Sequence, residues 1–257
     1  MRNRQIVTLA RFTLLEALRT RLLWLFVMVL ALILGAAYFI QQIAIIENAR
    51  LQIGFAAGAT RLAAVFVLSL YILTSMVREF NDKGLELTLS FALRRSHYVI
   101  GRLSGYLLIA LLMAAVATLP QLALAPLSAA LPWGLSLALE LAIMSALSLF
   151  CIMTFTQVMP AASFVFGFYM LARSVTAIRL MADTPIVGGG AWPHEVVTWL
   201  VEALALVLPA LDRYTQTSWL VDNAAAWPVL GANAAQTAVY IALLSAASMF
   251  DFYRRNL

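Results

Sequence analysis

Residues 78–102, REFNDKGLELTLSFALRRSHYVIGR, interrupt a chain that is otherwise a succession of apolar runs. The passage contains the only lysine, Lys83, and lies between two stretches with the composition of membrane spans. Over 257 residues, 63% are hydrophobic and 11% charged, whereas about a quarter of the residues in a soluble domain carry charge. Such a chain satisfies its backbone within helices and hides its apolar surface in lipid. The charged passage is therefore where the chain meets water on one side.

Working outward, a helix needs about 20 apolar residues to cross the hydrocarbon core. Spans are expected at residues 22–46, 62–77, 103–119, 133–155, 161–182 and 232–252, the third running on past Pro120 if that proline is tolerated. A turn from Pro126 to Pro132 separates the third and fourth spans, and Gln157 with Pro160 marks a tight turn before the fifth. Residues 195–208, EVVTWLVEALALVL, are apolar but too few to cross, and read as a re-entrant or interfacial segment within an outer stretch of residues 183–231. The expected fold is an all-α membrane protein of six spans in one domain.

Residues 1–21 precede the first span. At 100° per residue, Ile6, Val7, Leu9, Ala10, Leu14, Ala17 and Leu18 share one half of the wheel. Arg4, Gln5, Thr8, Arg11, Glu16 and Arg19 share the other, broken by Phe12 and Leu15. This is the pattern of a basic helix lying in the membrane surface. The two apolar interruptions would suit a protein docking there.

Basic residues set the orientation. With both termini and residues 78–102 in the cytoplasm, twelve of the 17 basic residues lie inside; only Arg50, Arg61, Arg179 and Arg213 lie outside, and Arg173 is within a span. The expected location is a plasma (inner) membrane. The arginines are scattered between spans rather than gathered on one face, so nucleic acid is not an expected partner.

Two ionisable residues fall within expected spans, where charge is costly and usually paired. Glu140 and Arg173 lie at similar depths in the fourth and fifth spans, about 10–13 Å below the outer surface at 1.5 Å per residue. They are expected to form an intramembrane ion pair, as a structural lock or as part of a transport path. Ala234, Ala238, Ala242 and Ala246 recur at four-residue spacing in the sixth span, a pattern that permits close helix approach; packing within one subunit is the expected use.

Several chemistries find no support in the residue pattern. Lys83 is followed by Gly84 rather than Ser or Thr, so a P-loop is absent. His97 and His194 fall on opposite sides, His194-Glu195 lacks a second histidine at position 198, and no histidine base stands near a candidate serine. An enzyme or a metal site is not expected in this chain. Cys151 is the lone cysteine, so no intrachain disulfide forms.

Glu79, Gly84, Glu86, Leu87, Leu89 and Ser90, followed by Arg94, Arg95, Tyr98, Gly101 and Arg102, resemble the cytoplasmic segment between spans two and three of the ABC-2 type permeases, the membrane subunits of a class of ABC exporters. Leu85 stands where that family usually has Thr, Ala92 near the usual Pro, and Arg102 where a Lys usually follows Gly. The basic N-terminal helix and the six-span plan are similar to the family's. So is the run Leu208-Pro209-Ala210-Leu211-Asp212-Arg213-Tyr214 before the last span.

The resemblance implies that residues 78–102 form a coupling helix docking on a separate ATP-binding subunit, which would hold the ATP and magnesium. Glu79, Asp82, Lys83, Gly84, Glu86, Leu87, Leu89, Arg94 and Arg95 are the implied contacts. It also implies pairing with a second permease, identical or related. Two other classes fit the pattern less fully: a membrane scaffold recruiting a cytoplasmic partner, and an ion-coupled transporter working through Glu140.

Overall fold

A computed structural model describes residues 2–43, 48–82, 95–183, 199, 202, 208–222 and 227–254. These form helices α1 (Arg2–Arg19), α2 (Leu22–Ile43), α3 (Asn48–Asn81), α4 (Arg95–Leu124), α5 (Leu127–Phe155) and α6 (Val158–Asp183). A 3₁₀ turn (Leu211–Arg213), the short α7 (Thr217–Val221) and α8 (Trp227–Arg254) follow. Among the described residues there is no strand. Six helices, α2 to α6 and α8, are long and apolar enough to cross a membrane, which makes this a multi-pass membrane protein.

The six spans stand where expected, but several boundaries move; α4 begins at Arg95 and α8 at Trp227, ahead of the expected residues 103 and 232. Helix α3 begins at Asn48, not near residue 62, because Arg61 does not end the helix; it lies half-buried within it. Helix α4 continues through Pro120 to Leu124. The expected turn from Pro126 to Pro132 is instead the start of α5: Pro126 caps the helix in extended conformation, and Pro132 lies inside it. The tight turn before α6 is only Thr156-Gln157, with Thr156 in left-handed conformation (φ 60°) and its N–H donating to Ile152 O. Pro160 fits the first turn of α6, where a missing N–H costs little.

Helix α5 is central. It packs against α3, α4, α6 and α8, and 72% of its apolar window is buried, against 17% for α2 and 11% for α8, which line the periphery. The alanine stripe on α8 overturns its expected use: Ala234, Ala238, Ala242 and Ala246 all face outward. The residues that α8 buries are Asn233, Thr237, Ser248 and Phe252.

Helix α1 also differs from the wheel reading. It packs along α4, burying Ala10, Thr13 and Ala17 and leaving Val7 and Leu18 exposed. Glycine permits the approach: a Cβ on Gly101 would stand 2.7 Å from Leu9 Cδ2, and one on Gly105 would stand 2.5 Å from Thr13 Cβ. Successive contacts four residues apart on both helices mean that they run side by side in the same direction. Arg4, Arg11, Phe12, Leu15 and Arg19 all remain on the exposed face.

Candidate functional site

Two buried polar junctions organise the bundle. The first joins α1, α3 and α4 around Arg102, whose side chain is 3% exposed. One guanidinium nitrogen lies 3.1 Å from Glu16 Oε2 and 3.1 Å from Thr13 Oγ1; the other donates to Glu79 Oε2. Ser75 Oγ donates to Glu16 Oε1 at 2.8 Å, and the Phe12 ring lies 5.8 Å from the guanidinium carbon. The planar fork of arginine suits such a junction, because several acceptors can be held at once. Gly101 and Gly105 flank Arg102 and bring α1 close enough for Thr13 and Glu16 to reach it.

This geometry changes the reading of Glu79. It stands at the end of α3, turned inward to Arg102 rather than outward as a docking contact. Asp82 is exposed just beyond α3, and Arg95 opens α4. Lys83, Gly84, Glu86, Leu87, Leu89 and Arg94, and with them the body of the expected coupling helix, lie outside the described residues.

The second junction is built on α5. Glu140 is fully buried, with Oε1 accepting from Tyr169 at 3.0 Å and Oε2 from Thr215 Oγ1. Arg173 on α6 lies 3.7 Å from Glu140, so the two charges paired in the sequence are neighbours. Their depth differs from expectation. Because α5 starts at Leu127, Glu140 is 13 residues into the helix, or about 20 Å along it.

The rest of this junction comes from residues 208–222, which enter the bundle from the end opposite the termini. Arg173 Nη1 donates to Leu211 O at 2.5 Å and Tyr214 O at 2.9 Å, and Arg61 Nη1 donates to Thr215 O at 3.2 Å. Thr215 N donates to Ser136 Oγ at 3.1 Å. Tyr214 Oη donates to Asn233 O at 2.7 Å. Thr215 holds a left-handed backbone, φ 42°, which non-glycine residues rarely adopt. Its hydroxyl and amide are thereby committed to Glu140 and Ser136. Most of the stretch expected to be re-entrant or interfacial, residues 195–208, lies outside the described residues.

Sequence reasoning missed Arg102 as a hub, along with Glu16, Arg61 and Thr215. The available signal for Arg102 was the Gly101–Gly105 spacing around it, which marks close helix contact. No family model matches the chain, and no curated protein matches it.

Proposed function

We propose that this chain is the permease subunit of an ATP-driven exporter. It would work with a separate cytoplasmic ATP-binding subunit and a second permease copy, with both termini in the cytoplasm. The observation that carries the reading is the Arg102 junction. Glu79 and Arg102, which bracket the segment resembling an ABC-2 coupling helix, are bonded to each other, and Arg102 is bonded to Glu16 as well. A partner pressing on the intervening residues would therefore move α1, α3 and α4 together rather than deform a free loop. Coupling additionally requires that the partner contact this segment differently in its two nucleotide states.

The exposed alanine stripe on α8 offers a surface on which a second copy can approach closely. An ion-coupled mechanism gains less support, because both Glu140 oxygens already accept hydrogen bonds and Arg173 lies beside them.

Affinity purification from native membranes tests the proposal. The chain should bring down an ATPase, and Glu86→Arg or Leu89→Asp should release it or abolish ATP hydrolysis stimulated by the complex. Recovery of undiminished ATPase and activity with both variants overturns it.

A further inference from the structure

The turn between α1 and α2 is sharp and basic. Arg21 adopts φ 57°, a left-handed conformation that glycine or asparagine reaches with far less strain. The helices diverge from this elbow. Between the end of α1 and one face of α2 lies a cavity of about 970 Å³, with Arg19, Arg21 and Trp24 at its apex. A second cavity, of about 330 Å³, lies between α2 and α3; it shares Thr20 and Leu25 with the first and carries Arg78.

Arg19, Arg21 and Arg78 have no carboxylate partner among the described residues. Glu16, which lines the second cavity, is already bound to Arg102. Among the described residues, the positive charge of the elbow is therefore matched by no paired carboxylate. Below it the larger cavity turns apolar. Trp24, Met28 and Leu32 follow Arg21 down one face of α2 and are 71%, 67% and 73% exposed. At 1.5 Å per residue, Arg21 to Leu32 spans about 16 Å, close to one leaflet of a hydrocarbon core about 30 Å thick.

We propose that this elbow binds an anionic glycerophospholipid. Its phosphate is held by Arg19 and Arg21, one acyl chain lies along the α2 face, and the second enters the crevice between α2 and α3. A cationic apex joined to a leaflet-deep apolar groove matches both halves of such a molecule. A free phosphate would use only the apex. The site goes beyond the exporter reading and does not depend on it.

The test uses the full chain in detergent, with retained lipid measured by native mass spectrometry. Phosphatidylglycerol, phosphatidylcholine and inorganic phosphate are titrated separately. At about fivefold per arginine near an anionic headgroup, phosphatidylglycerol should be retained roughly 25-fold better than by an Arg19→Gln/Arg21→Gly variant. Phosphatidylcholine should distinguish the two proteins little. Glycine at position 21 relieves the backbone, so this variant should melt no lower than the parent in lipid-free detergent, separating lost binding from lost folding. Arg4→Gln/Arg11→Gln removes equal charge from the exposed face of α1 and should retain lipid as the parent does. The proposal is overturned by an equal loss in that control, by indifference between the two lipids, or by inorganic phosphate displacing phosphatidylglycerol.

Discussion

The two polar junctions solve opposite problems. Around Arg102 one cation faces two carboxylates; around Glu140 one carboxylate faces Arg173, with Arg61 bonded close by. The difference follows from the backbone available to each. Helices α1, α3 and α4 spend their interior carbonyls on their own hydrogen bonds, so Arg102 needs side-chain acceptors. Residues 211–215 are not α-helical, and the carbonyls of Leu211, Tyr214 and Thr215 receive the arginines directly. Irregular backbone at membrane depth is tolerated where protein buries and satisfies it. Exposure differs as well: Glu16 and Glu79 keep 23% and 11% of their side-chain surface, whereas Glu140 keeps none.

The largest effect should come from the deeper junction. Glu140→Leu removes the carboxylate paired with Arg173 and should cost about 3–5 kcal/mol, the usual loss when one partner of a buried pair is removed. A thermal melt in detergent reads this, and an unchanged midpoint would show that water already reaches the site. Arg102→Leu should cost less, about 2–3 kcal/mol, because its two carboxylates retain some solvent. Adding Glu16→Gln and Glu79→Gln should recover part of the loss; no recovery would assign the defect to packing instead. Gly105→Ala sets a Cβ against Thr13 and should cost about 1–2 kcal/mol by overpacking. If this variant melts with the parent, α1 is held loosely and the Arg102 junction is weaker than its geometry indicates.

Hydropathy made the six spans legible, and the cost of charge in lipid made Glu140 and Arg173 legible as neighbours. Both signals are local to a helix. The depth of the pair was misjudged because Pro132 was read as a break, whereas α5 accommodates it. The expected second span starts just after Arg61 for a similar reason: a single arginine looks like a boundary until its acceptor, Thr215 O, is known. Glu16 sat on the polar half of a wheel drawn for a helix at the membrane surface. A wheel shows which residues share a face; it does not show that α4 presents two glycines to that helix.

The 208–222 segment also bears on how the protein is made. Glu140 and Arg173 lie in successive helices joined by a two-residue turn, so the ribosome delivers them to the bilayer as one hairpin. Opposite charges then enter together and screen each other during insertion. Their remaining partners, Leu211 O and Thr215 Oγ1, are synthesised 38 residues after Arg173 and 75 after Glu140, respectively. During that interval the hairpin rests on the ion pair and the Tyr169 bond to Glu140 Oε1, with Glu140 Oε2 and the Arg173 N–H groups still open. Truncation between α6 and Leu211 would hold the nascent chain at this stage, exposing a charged seam of the kind membrane quality control is placed to recognise.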